Sequence, residues 1–227
     1  MTIHNEILFL IHVVTVAGFT LGSLAMGKEA LTATICLFSI LANLFVTKQI
    51  TLFGLSVVST DVFMIGSILG LNMLQEFFGR SLAQKTILIN FAVTLFYLLM
   101  SLIHVWYVPN EFDTMQQHFQ IILTPMVRII VASVLVYLLV QIIDAQLYGF
   151  LKNRFQGRFL LARNIFSLSV TQLLDTILFT FAALYGNVHS VWHIIFVSYT
   201  IKLLVIFCSA PFISFAKLII KRDDKQL

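Results

Sequence analysis

The chain has 227 residues, 59% of them hydrophobic and only 11% charged, with a net charge of +4 and a mean hydropathy of +0.98. A soluble domain carries about a quarter charged residues, and a core of this size cannot hide so much apolar surface, so a water-soluble protein is excluded and the solvent must be lipid. The 22 Phe and 3 Pro fit helical spans better than a barrel built from alternating segments of roughly ten residues.

A spanning helix needs about 20 mostly apolar residues. The sequence offers seven such segments in order, at about 6–27, 30–49, 56–79, 83–108, 119–151, 163–186 and 190–217. The first lacks a basic leader and a small-residue cleavage site, so it reads as a retained helix rather than a removed signal. The fifth is over-long. Thr124-Pro125 resembles an N-cap followed by proline at the first helical position, which would restart the helix there, and otherwise Pro125 would kink it. The expectation is an all-α, polytopic transmembrane helical bundle. It forms one integral membrane domain over 1–227, with an extra N-terminal helix at about 6–27, a six-helix core at about 30–217 and a charged tail at 218–227.

In a membrane protein the placement of Lys and Arg decides more than their total, so the pI near 9.2 makes no argument for nucleic acid. Lys28 follows span one, Arg80 and Lys85 span three, Lys152, Arg154, Arg158 and Arg163 span five, and Lys217, Lys221, Arg222 and Lys225 span seven. Those eleven of the 14 basic residues fall on one side of the seven-span model. The alternate loops carry Glu111 and Asp113, or no charge from Gly186 to Ser190. The positive-inside rule then puts the C-terminus in the cytoplasm and the short N-terminus outside.

Polar side chains at hydrocarbon depth are costly, by about 2.5–3.5 kcal/mol for a charge on insertion scales, and they tend to face a cavity, a partner or a passing substrate. Here they are Asn43, Asp61, Asn72, Gln75, Glu76, Arg128, Gln141, Asp144, Asn164, Gln172, Asp175 and Lys202. Two near-copies stand out: Gln141-Ile142-Ile143-Asp144 and Gln172-Leu173-Leu174-Asp175. Positions i and i+3 share a helix face, so each pair sets an amide beside a carboxylate, which suits a ligand rich in N–H donors. A structural reading stands beside this one. Asp175 and Lys202 can neutralise each other, Asp61 can be solvated at the outer interface, Asn72 can bond between helices, and Gly66 and Gly70 can mark close helix packing. Cys36 and Cys208 read as buried free thiols, and no Cys/His cluster with metal-ligand spacing is present.

The segments Asn43-Leu44-Phe45-Val46-Thr47-Lys48, Asn72-Met73-Leu74-Gln75-Glu76-Phe77-Phe78-Gly79-Arg80, Gln141-x-x-Asp144, Arg163-Asn164 with Ser167, Gln172-x-x-Asp175-Thr176, Lys202 and Pro211 together resemble the queuosine precursor transporter family, also called vitamin-uptake-transporter-like. The likeness covers about residues 35–215 in order. It implies uptake through a bacterial inner membrane of 7-deazaguanines, namely the 7-cyano or 7-aminomethyl precursor or queuine, for salvage into tRNA queuosine. It departs at one place: the family has Asp-x-x-x-Glu in the third span, and here Asn72 precedes Glu76.

A guanine-like edge offers two adjacent N–H donors and a carbonyl. A carboxylate accepts the first two in bidentate fashion and a glutamine amide donates to the third. The substrate-binding set is therefore Asn43, Asn72, Glu76, Gln141, Asp144, Gln172, Asp175 and Lys202. Asp175 or Asp144 would take the base donors, Gln172 or Gln141 the carbonyl, and Lys202 and Glu76 would balance charge or gate. No catalytic residue, metal or cofactor is expected, and the partners are the small-molecule substrate and the bilayer. A homo-oligomer or a separate energising module stays open, since no Gly-x-x-x-x-Gly-Lys motif is present for ATP. The alternatives are a substrate-binding membrane subunit of a multi-component importer and an intramembrane enzyme using paired carboxylates.

Overall fold

The computed structural model describes residues 5–45, 48–58, 60–123, 127–184 and 191–223. Among them are eight helices: α1 (Asn5–Met26), α2 (Lys28–Leu44), α3 (Asp61–Phe78), α4 (Arg80–Trp106), α5 (Gln116–Leu123), α6 (Val127–Arg154), α7 (Leu160–Phe179) and α8 (Val191–Asp223). A π-helical turn, Thr180–Leu184, extends α7. The Thr124-Pro125 step, the Gly186-to-Ser190 loop and the last four residues lie outside the described residues, as do the side chains of Arg128 and Pro211.

The helical membrane architecture stands. Helices α1 and α4 and the stretches Val134–Arg154 and Leu160–Ala183 are each long and apolar enough to cross a bilayer. Their outer faces carry exposed Phe19, Leu88, Phe96, Phe150 and Phe166, a surface that water would not tolerate and lipid does. The inward face of α4 is the more polar one, with Thr86, Asn90, Thr94 and Ser101 buried at helical spacing.

Three expectations change. The chain is not wholly α: β1 (Gln49–Leu52) and β2 (Leu55–Val58) form an antiparallel hairpin with Leu52 opposite Leu55. Phe53 and Gly54 both adopt positive φ, 50° and 78°, as the tight two-residue hairpin turn requires. The hairpin ends α2 at Leu44 and delays α3 to Asp61, where spans of 30–49 and 56–79 were expected. It is tied to the start of α1 by Asn5 Nδ2 donating to the Thr51 carbonyl at 3.0 Å and by the Phe53 N–H donating to Glu6 Oε1 at 3.1 Å. Second, the two readings of the over-long fifth segment narrow to the restart: it is two helices, α5 and α6, on either side of Thr124-Pro125. Third, α8 continues to Asp223, into the segment read as a tail.

Helix α3 is the axis of the bundle. It packs against α1, α2, α4, α6, α7 and α8, and every residue from Ile65 to Gln75 is buried. Two glycines permit this. A Cβ on Gly66 would stand 2.4 Å from Val16 and 3.3 Å from Phe38, and one on Gly70 would stand 3.0 Å from Ile35, so the Gly-x-x-x-Gly pair marks close packing against α1 and α2. Cys36 is buried, Cys208 half-buried, and both are free thiols.

Candidate functional site

Besides α4, three helices present polar residues inward, mostly at spacings of three and four, with eleven residues, about three turns, between Asp61 and Asn72. On α6 they are Tyr137, Gln141, Asp144, Tyr148 and Lys152; on α7, Arg163, Ser167, Thr171 and Asp175; on α3, Asp61, Asn72 and Glu76. Because i, i+3 and i+4 fall on one face, these rows form stripes. Glu76, near the end of α3, meets Arg163, near the start of α7, while Asp61 and Asp175 meet at the opposite ends of the same two helices. The two helices are therefore antiparallel, and a polar seam runs along their contact for about 18–22 Å.

At the Glu76 end the seam is an ionic lock. Arg163, 2% exposed, grips Glu76 with two parallel hydrogen bonds, Nη1 to Oε2 at 3.1 Å and Nη2 to Oε1 at 3.0 Å. Two more of its donors go to the carbonyls of Arg158 and Gly157, so the guanidinium also pins the loop between α6 and α7. Tyr148 Oη donates to Glu76 at 3.0 Å. Lys152 sits 3.5 Å from the carboxylate and donates to the α3 carbonyls of Gln75 and Glu76. Bidentate geometry with full satisfaction is what a buried pair needs to offset its desolvation.

The opposite end is looser. Lys202, 5% exposed, donates to Asp175 Oδ2 at 2.5 Å and lies 3.8 Å from Asp61 Oδ1. One ammonium faces two carboxylates, so the cluster has an excess of one negative charge. It borders a cavity of 90 Å³ lined also by Asn43 and Thr60. Asn43, half-buried, donates to the Ser39 carbonyl at 2.8 Å.

Between the ends lies Asp144, fully buried. Ser167 Oγ and Thr171 Oγ1 donate to its Oδ1 at 2.6 and 3.1 Å. Its Oδ2 has no hydrogen-bond partner among the described residues, and neither do the two amide atoms of Asn72 or of Gln172, all of them buried. The Asn72 amide faces Asp144 closely enough to bear on its charge without closing a well-formed hydrogen bond. Buried polar groups are nearly always paired, and each exception asks for an explanation.

Gln141 is different. Its Nε2 donates to Tyr137 Oη at 2.7 Å and its Oε1 accepts from Asn90 Nδ2 at 3.4 Å. Asn90 Nδ2 also lies 3.2 Å from Tyr137 Oη, and the Ser39 and Ser67 hydroxyls complete the cluster. With two amides donating to it, the phenol oxygen has its own proton left for one serine, and the other serine can turn to the Ile35 carbonyl.

Seven of the eight residues singled out in the sequence lie in or beside this seam, and Gln172 is buried on α7, its amide without a hydrogen-bond partner among the described residues. The structure brings Asn72 to Asp144, and Asn43, Asp175 and Lys202 to one cavity; it commits Glu76 to the lock and Gln141 to the tyrosine cluster. Arg163, read as one of a cytoplasmic basic group, is instead buried in the lock, and Asp61, read as an outer carboxylate that could be solvated, faces Lys202. Tyr137, Tyr148, Asn90, Ser167 and Thr171 were not singled out as site residues. For the tyrosines, Ser167 and Thr171 the signal was the four-residue spacing on α6 and α7, which hydroxyl and phenol side chains obscure because they are unremarkable in an apolar helix; for Asn90 it was the row Thr86, Asn90, Thr94 on α4.

These features define a multi-pass helical membrane protein with a buried, partly unsatisfied polar seam. Residues 58–216 match the family described as "Putative vitamin uptake transporter", and the chain belongs to that family of transporters. It is also similar to a protein of Bacillus subtilis (strain 168) named "Probable queuosine precursor transporter", with 32% identity over 223 residues that cover 96% of this chain and 95% of the relative. No solved structure matches.

Proposed function

We propose that this transporter carries 7-deazaguanine precursors of queuosine inward across a bacterial inner membrane by alternating access, with its C-terminus cytoplasmic and its N-terminus outside. The observation that carries the reading is the middle of the seam. Asp144 Oδ2, the Gln172 amide and the Asn72 amide are buried with no hydrogen-bond partner among the described residues, and they offer a carboxylate acceptor and two amides. That set complements the imino and amino donors and the carbonyl of a guanine-like edge. Ser167 and Thr171 hold one oxygen of Asp144 and leave the other to accept from the base. Buried groups left unpaired by a wrong ligand are the strongest available basis for discrimination, worth about 10⁴–10⁵ where a site is built to hydrogen-bond. The name of the Bacillus subtilis relative supports the same substrate class.

The reading narrows the residues that touch the base. Asp175 already holds Lys202, Gln141 already serves Tyr137 and Asn90, and Glu76 is saturated by Arg163, Tyr148 and Lys152. Asp144, Gln172 and Asn72 remain. The test is salvage: express the chain in cells that lack their own importer and cannot make the precursor, feed each 7-deazaguanine, and measure queuosine in tRNA. Restoration with at least one is expected; no restoration by membrane-inserted protein contradicts the proposal.

A further inference from the structure

The Asp61–Asp175–Lys202 cluster is not needed to hold a base edge, and its charge does not balance. Lys202 is committed to Asp175 at 2.5 Å, while Asp61 stands off at 3.8 Å with a side chain 19% exposed. Asp61 is thus the carboxylate with capacity to spare, and it opens onto the 90 Å³ cavity. That volume has room for a small polar group beside the carboxylate. His12 on α1 does not compete for it, since its ring packs edge-on against Phe63 at 4.4 Å. Besides Asp61, α2 and the start of α3 line the cavity with the uncharged Ala42, Asn43, Thr60 and Met64.

The cluster also lies at a telling distance from the middle of the seam. Asp144 is bonded to Ser167 and Thr171 on α7, and Asp175 lies about six residues beyond their midpoint, a rise of about 9 Å. Gln172, buried with neither amide atom partnered, falls between the two levels, one turn from Asp175 on the same helix face. A bicyclic base held by its amino edge at Asp144 and Gln172 would extend a one-carbon substituent from its far ring toward this cavity.

Resting on the proposed base site, we infer that the Asp61–Asp175–Lys202 cavity receives the substituent of the ligand's five-membered ring and selects a primary ammonium over an uncharged nitrile. A second ammonium joining Lys202 brings the cluster to two carboxylates and two cations, which removes the uncompensated charge. Lys202 keeps Asp175, and the incoming group takes Asp61. A nitrile brings no charge and leaves the excess in place.

The test is equilibrium binding of 7-aminomethyl- and 7-cyano-7-deazaguanine to purified full-length protein in detergent. The wild type is expected to bind the aminomethyl compound about tenfold more tightly or better. Asp61→Asn is expected to collapse that ratio while leaving the cyano compound's Kd unchanged, which also shows that the variant is folded. Asp61→Glu is expected to restore most of the preference. Equal binding of both compounds by the wild type, or an undiminished ratio in Asp61→Asn, overturns the inference and leaves base recognition standing. If neither compound binds, base recognition itself is wrong and this inference falls with it; the two failures are told apart by whether the cyano compound binds at all.

Discussion

At one end of the seam a single carboxylate, Glu76, receives a bidentate arginine, a tyrosine hydroxyl and a lysine. In the middle, Asp144 has two hydroxyl donors on one oxygen and, among the described residues, none on the other, and the Asn72 amide facing it has no partner. Both carboxylates lie in the same interface between α3, α6 and α7. The first arrangement is self-sufficient, and its contacts tie three helices and a loop together. The second is incomplete by the chain's own resources, and a buried carboxylate oxygen left bare is costly unless something else fills the place. On the proposed reading, paired groups report on architecture and unpaired ones on cargo.

That contrast predicts opposite phenotypes. Arg163→Ala strands Glu76 without its main partner, and breaking one side of a buried pair costs about 3–5 kcal/mol; a large fall in melting temperature and in membrane-inserted yield is expected. A melting temperature within a degree or two of wild type would show that the lock is not structural. Gly66→Val places methyl groups where Val16 and Phe38 already stand, and overpacking of this kind costs about 1–3 kcal/mol. It should lower thermal stability without changing substrate preference, and an altered preference would mean that this packing face reaches the site.

Ser167→Ala removes one of the two donors that fix Asp144. A net hydrogen bond is worth about 1 kcal/mol, so a several-fold rise in substrate Kd at normal yield is expected. No change in Kd would indicate that Thr171 alone orients the carboxylate.

Much of this was legible in the sequence, and the reasons are uneven. Composition forces the helical membrane class, because no other fold accommodates so few charges in so apolar a chain. The intramembrane Asp144, Asp175, Gln172 and Lys202 stood out because charge and amide groups are expensive in lipid. The hairpin did not stand out, although Gln49-Ile50-Thr51-Leu52 and Leu55-Ser56-Val57-Val58 alternate and flank a Phe-Gly turn. Ten residues of moderate hydropathy between two apolar helices are easily absorbed into their ends. Arg163 was hidden for a related reason. It is the fourth residue of α7, within a run of basic residues that the positive-inside pattern already explains. The division of labour between the twin Gln-x-x-Asp motifs could not be read at all, because it depends on neighbours from other helices: Asn90 and Tyr137 for Gln141, Lys202 for Asp175.

The twin motifs therefore give the sharpest test. Equilibrium binding of a 7-deazaguanine and thermal melting would be measured on Gln141→Ala and Gln172→Ala in parallel. Gln172→Ala is expected to weaken binding by about tenfold or more with little loss of stability, since its amide has no protein partner to abandon. Gln141→Ala is expected to lower the melting temperature by leaving Tyr137 and Asn90 short of a partner, with Kd nearly unchanged. The reverse pattern, or the same pattern for both, would contradict the assignment of the unpaired groups to the substrate.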